Sequence, residues 1–158
     1  MAYRMSIAAA FVAVSLTGCA SPNTGSNAAS SNYVSDAPQR IAAADWSKAQ
    51  TVTVSLASFH FAPDRLEFLR DAPYRLHLVN QSSARHTFTS EAFFKAIAVK
   101  QIEPGALGGT APSSGTIALA SGEEKDLYFV AVAPGKYDFN CSEFLHDTFG
   151  MTGEITIR

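Results

Sequence analysis

The chain has 158 residues, 47% of them hydrophobic and 16% charged, which suits one globular domain with a core of its own. Its formal charge is −2, and no run of lysine or arginine supplies the electrostatic footprint that nucleic acid requires. Nucleic acid is therefore set aside as a partner.

Residues 1–19, MAYRMSIAAAFVAVSLTGC, open with Arg4, run apolar from Ile7 to Leu16 and end in small residues before Cys19. This is the pattern of an export signal, and the apolar run is shorter than the about 20 residues of a membrane span. Leu16-Thr17-Gly18-Cys19 resembles the bacterial lipobox. The resemblance implies a lipoprotein signal peptide over 1–18, lipidation of Cys19, and a membrane anchor made of several acyl chains. Ala20, standing where aspartate commonly retains such proteins at the inner membrane, favours the outer membrane of a Gram-negative host, with the domain on the periplasmic side. Loss of residues 1–18 removes Arg4 and leaves 11 basic against 14 acidic side chains. With Cys19 acylated, Cys141 is left without a disulfide partner, and an unpaired thiol in an oxidising compartment calls for an explanation. A metal would supply one; a small buried hydrophobe is the plainer alternative.

Residues 20–36, ASPNTGSNAASSNYVSD, have too few large apolar groups to offset the entropy of ordering. The expected organisation is a flexible linker over 19–47 and a domain over 48–158, about 26 residues of tether giving a reach of about 30 Å. Ile41–Lys48 is equally compatible with a short helix. From Thr51 the period becomes two, with Val52, Val54 and Leu56 alternating against Thr51, Thr53 and Ser55 as in a half-buried strand. FHFAPDRLEFL reads as one bent strand around Pro63-Asp64, and YRLHLVN as a third strand ending at Asn80. A polar loop, QSSAR, leads into His86-Thr87-Phe88. Ser90–Lys100 fits a short helix or a strand, and 101–115, with four of the ten glycines, reads as an irregular excursion. Strands resume at Thr116–Ala120, at DLYFVAV, at YDFNC and at MTGEITIR. His60 and His77, on strands opposite apolar neighbours, read as surface histidines. Short strands divided by turns, without a long helix or a glycine-rich phosphate loop, predict an all-β antiparallel sandwich or barrel.

The chemistry concentrates in Tyr137–Met151, YDFNCSEFLHDTFGM, where four residues separate Cys141 from His146 and four separate His146 from Met151. Thiolate, imidazole and thioether are soft and borderline ligands that favour copper over the oxygen-seeking cations. Blue-copper centres combine two His and one Cys with a weak axial Met, which makes His86 the candidate for the missing ligand. Cys141 with His146 also has the composition of a thiol nucleophile and its base, but no orienting third group is readable.

An upstream His, a Tyr-x-Phe-x-Cys strand, a second His and a Gly-Met-x-Gly-x-Ile ending (Gly150–Ile155) together resemble the cupredoxins, the plastocyanin and azurin superfamily, with a ligand loop similar to that of rusticyanin. The resemblance spans about 51–158. It implies a Greek-key β-sandwich in which His86, Cys141 and His146 are equatorial copper ligands and Met151 the axial one. One copper ion would then cycle between Cu(I) and Cu(II), carrying single electrons between periplasmic redox partners; a closed set of four protein ligands suits a carrier better than an enzyme. The alternative is a homeostasis or resistance protein that sequesters or delivers copper. Phe144, Leu145 and Phe149, flanking His146, are either core residues or an apolar docking patch for redox partners. Thr87 stands where family members often carry an Asn that ties the ligand loops together, which puts that bond in question. Glu143 brings a carboxylate into the loop, either solvated or close enough to favour Cu(II).

Overall fold

In the computed structural model, residues 33–105 and 111–158 are described, and they form two facing five-stranded sheets. The expected signal peptide, Cys19 and the first part of the linker lie outside the described residues. One sheet has the order β2-β1-β4-β8-β6, built from β1 (Gln50–Ala57), β2 (His60–Ala62), β4 (Pro73–Asn80), β6 (Ile97–Glu103) and β8 (Glu124–Ala131). The other has the order β3-β10-β9-β5-β7, built from β3 (Arg65–Phe68), β5 (His86–Thr89), β7 (Thr116–Leu119), β9 (Gly135–Asn140) and β10 (Thr152–Ile157). The expected all-β sandwich is what the chain forms. Two pairs, β1 with β4 and β3 with β10, are parallel.

Alternation decides which face is buried. Along β4, Tyr74, Leu76, Leu78 and Asn80 point inward while Arg75, His77 and Val79 are only partly covered. Aromatic rings then join the two sheets edge to face, Phe61 on Phe139 at 4.9 Å and Phe68 on Phe129 at 5.1 Å between centroids.

Four local readings change. FHFAPDRLEFL is two strands in different sheets, because the chain turns at Pro63-Asp64 and crosses the sandwich. Ser90–Lys100 takes both of its readings in succession: helix α2 (Glu91–Lys95), whose first turn is capped by the Ser90 hydroxyl accepting from Phe93 N–H at 3.4 Å, and then the start of β6. Part of the expected excursion, Gln101–Glu103, is the end of β6. The described part of the expected linker is packed: helix α1 (Ala37–Ala43) lies on the outer face of β6 and β8, where Ala37, Ala98 and Val130 are buried with Ile41 and Trp46 against them. Arg40 fastens it, bonding Asp36 at 2.9 Å and Asp71 at 2.7 Å.

His77 is also less of a surface residue than expected. Its Nδ1 lies 2.8 Å from Asp126 Oδ1 on β8, while Arg75 donates to Asp126 Oδ2 at 2.8 Å. Burial pushes the Asp126 carboxyl up, but Arg75 and His77 outweigh it and hold the group below its ordinary value of 3.8. A folded value below the unfolded one gives stability that is complete above pH 3.8 and lost as pH falls through the folded value. Chemical denaturation of the wild type should therefore weaken on acidification below about pH 4, and Asp126→Asn should flatten that dependence. Gly153 faces Phe139 across β9–β10, and a Cβ there would overlap the Phe139 ring and the Asp64 carbonyl. Gly153→Ala should cost about 1–3 kcal/mol of stability in the same measurement.

Candidate metal centre

Strand ends collect at one pole: the end of β4 at Asn80, the start of β5 at His86, the end of β9 at Asn140, and the β1–β2 turn, since Leu56 pairs with Asn80. Of the four sequence-selected residues, His86 and Cys141 are buried on β5 and just after β9, Met151 is fully buried just before β10, and His146 is half-buried on the connecting loop.

The loop from Cys141 to Met151 is built of turns. His146 N–H donates to Glu143 O at 3.1 Å, Phe149 N–H to Leu145 O at 3.0 Å, and Gly150 N–H to Asp147 O at 2.9 Å. Its ends are fastened together by Cys141 N–H donating to Met151 O at 3.0 Å, and Met151 N–H reaches back to His146 O at 2.9 Å. The two four-residue gaps thus curl back so that Cys141 and Met151 enter the core side by side.

The result is a triangle of donor atoms. Cys141 Sγ lies 3.7 Å from His86 Nδ1 and 3.4 Å from His146 Nδ1, and the two Nδ1 atoms are 3.2 Å apart. A first-row ion bound in a plane at about 2.0–2.3 Å from nitrogen and sulfur would hold such atoms about 3.5–3.8 Å apart, so the spacing fits an ion with small adjustments. Among the described residues this is the one group of three or more His, Cys, Asp or Glu donors with that proximity. Burial holds the His86 pKa below its ordinary 6.5, the neighbouring His146 acts the same way, and the Glu143 carboxylate opposes them. A neutral imidazole keeps a lone pair for a metal. Complete burial of Cys141 argues against the reading of Cys141 and His146 as nucleophile and base, since reactive thiols are ordinarily accessible.

Thr87 answers the question raised by the missing Asn. Its N–H donates to Cys141 Sγ at 3.4 Å, its hydroxyl lies 3.7 Å from the same sulfur, and Ser142 N–H donates to Thr87 Oγ1 at 2.7 Å. A threonine therefore ties the segments carrying His86 and Cys141 together, extended by Thr89 and Ser142 hydroxyls at 3.3 Å and 3.0 Å from Thr87 Oγ1. Glu143 is neither free nor bare: Arg85 Nε lies 3.5 Å from its carboxylate, which offsets the charge.

Sequence reading missed Asn80 and Phe59. Buried Asn80 gives its amide N–H groups to the carbonyls of Ala84 (2.8 Å), Leu119 (3.2 Å) and Ala120 (2.8 Å), and its Oδ1 accepts from Ser82 N–H (3.0 Å). It thereby fixes the loop that delivers His86. An Asn ending a strand pattern reads as a turn residue, and only its burial distinguishes it. Phe59 packs its ring on His146 at 5.1 Å between centroids.

Thr87→Val should remove the acceptor for Ser142 N–H and lower the stability of the metal-free protein by about 1 kcal/mol, with Thr87→Ser close to wild type, both read by chemical denaturation.

No protein-family model matches the sequence, and no curated protein matches it. Solved structures do. Sodium dithionite-reduced auracyanin from the photosynthetic bacterium Roseiflexus castenholzii is similar at 19% identity with a TM-score of 0.50, over 70% of this chain and 98% of that one. Multicopper oxidases from Aquifex aeolicus (15% identity, TM-score 0.54) and Pseudomonas thermotolerans (16%, 0.54) match over 72% and 73% of this chain. The match spans only 30% and 31% of those larger oxidases. At these identities the likeness speaks for the fold, and with the two five-stranded sheets and the His–Cys–His triangle at one pole, it assigns the chain to the cupredoxin fold.

Proposed function

We propose that the protein is a type 1 (blue) mononuclear copper protein that carries single electrons. The observation that supports this reading best is the triangle of His86 Nδ1, Cys141 Sγ and His146 Nδ1 beside the buried Met151. His86, Cys141 and His146 would hold the ion in a plane and Met151 would be the weak axial ligand. Copper, when bound, supplies the one-electron Cu(I)/Cu(II) couple. The protein's own part is to keep four mixed ligands in a geometry between the preferences of the two oxidation states. Thr87 N–H directed at the Cys141 sulfur draws charge from the thiolate, and the fastened loop ends resist rearrangement.

Burial of His86, Cys141 and Met151 favours a carrier over an enzyme, since it leaves little room for a substrate. It also speaks against ready delivery of the ion, the alternative role in copper homeostasis. Electrons have a path out through half-buried His146, around which Phe144, Leu145 and Phe149 are 87%, 43% and 63% exposed. Their exposure supports the docking patch over the core reading, with redox proteins as partners. The export signal and Cys19 support a lipid-anchored protein on the periplasmic side of a bacterial membrane, the outer one in a Gram-negative host.

Adding Cu(II) to metal-free protein should give the intense visible thiolate-to-copper absorption at one equivalent, and Cys141→Ser should abolish it. Protein that stays colourless with copper bound would refute the blue-copper assignment. Rapid electron self-exchange with copper retained should accompany the band, whereas loss of the ion to an acceptor on the same timescale would support homeostasis.

A further inference from the structure

Among the described residues, three that are not glycine have positive φ, and two of them converge on one side chain. Leu145 (φ 64°) immediately precedes His146, and Phe59 (φ 63°) packs its ring against the His146 imidazole. Phe59 occupies the two-residue connection between β1 and β2, where Ala57 pairs with His60. Glycine, Asn or Asp ordinarily takes such a left-handed position, because a side chain with a bulky ring is strained there. Strain of this kind persists where the surroundings over-determine it, and it gathers at functional sites.

What the strained turn achieves is placement. The Phe59 ring meets His146 edge to face, 5.1 Å between centroids at 71°, and meets Phe149 from the same loop at 5.4 Å and 70°. Phe59 remains 45% exposed, so burying its own surface is a poor reason for the strain. His146 has the greater need of support. His86 is carried by β5, with Thr87 and Phe88 buried after it, whereas His146 sits on a loop of turns and is half-buried. Backbone bonds fix where His146 begins but leave the ring free to turn about its side-chain torsions.

We infer that Phe59 is a positioning residue of the metal centre: its ring braces the outer side of the His146 imidazole and keeps Nδ1 turned toward Cys141 Sγ and His86 Nδ1. The brace works from a neighbouring hairpin, so the orientation of His146 does not depend on its own loop alone. The role in metal retention rests on the copper reading above; the placement of the imidazole does not.

The test compares Phe59→Asn, which suits positive φ and removes the ring, with Phe59→Tyr, which keeps ring and strain. In Phe59→Asn, copper should pass to a chelator about two- to tenfold faster, the worth of one edge-to-face aromatic pair, while Phe59→Tyr stays within about twofold of wild type. Denaturation of metal-free Phe59→Asn should show no loss of stability, since the backbone strain is relieved. NMR of metal-free protein supplies an independent arm: the nuclear Overhauser contacts of the His146 ring protons with the Cys141 and His86 side chains should weaken in Phe59→Asn and persist in Phe59→Tyr. Wild-type release by Phe59→Asn, or His146 contacts with Cys141 and His86 unchanged in that variant, would overturn the inference, as would faster release matched by an equal loss of metal-free stability. If the wild type binds no copper, the copper reading fails, and the His146 contacts with Cys141 and His86 still decide whether Phe59 orients the ring.

Discussion

The hydrogen bond from Thr87 N–H to the Cys141 sulfur, with its companion from Ser142 N–H to the Thr87 hydroxyl, joins two segments of the chain that otherwise barely meet. Between β5 and β9 the ladder has one registered pair, Thr89 with Asn140. Without the threonine tie, the start of β5 and the end of β9 would be free to separate at the pole where His86 and Cys141 face each other. A buried sulfur has few good partners, and one that receives a main-chain N–H is both satisfied and aimed. The tie therefore sets the separation between thiol and imidazole. The backbone bond from Cys141 to Met151 then sets where the loop returns.

This arrangement divides the pole into a fixed half and an adaptable half. On the fixed side, Asn80 bonds three carbonyls across a sequence separation of up to 40 residues and holds the approach to His86, while Thr87 grips Cys141. On the adaptable side, His146 lies on turns whose backbone is partly in the left-handed region and whose apolar residues face solvent. The charged groups follow the same division. Glu143 is paired with Arg85 at the rim, while its carboxylate still acts on His86, opposing the effect of burial.

How much of this was legible in the chain depends on range. The strands of β1 and β4 could be read because a sheet with one buried face imposes a period of two on neighbouring residues, Val52-Val54-Leu56 and Tyr74-Leu76-Leu78. The convergence of Cys141 and His146 was legible because soft side chains gathered in fifteen residues have few other uses, and the fold brings His86 from outside that stretch to meet them. Helix α2, at five residues, is too short to express a helical period, and the division of β2 from β3 lay hidden behind a single turn signal. The start of helix α1, residues 37–40, reads as tether because alanine-rich sequence offers little apolar surface, while its end overlaps Ile41–Lys48, which is equally compatible with a short helix. It packs because Ile41 and Trp46 find a small ready-made cluster on the outer face of the sheet. The supports of the site were least legible. Asn80 and Phe59 are ordinary residues locally, and their roles exist only once distant strands pair; Thr87 could be placed at the tying position, but its bonds to Cys141 and Ser142 could not be read.

The unequal footing of the two histidines bears on which part of the pole must be stiffened from outside. A residue on a strand inherits its orientation from the ladder, since its neighbours on both sides are buried in register. A residue on a loop of turns inherits only the position of its Cα, and its side chain has to be oriented by contacts. Those contacts cannot come from the core, because the side of His146 that faces the core is occupied by the sulfur and the other imidazole. They must come from the solvent side, where apolar cover is scarce and a hairpin tip is within reach. Phe59 meets that requirement only with the β1–β2 turn held at positive φ. The strained turn thus accompanies the placing of one metal-competent donor, His146, on an exposed loop.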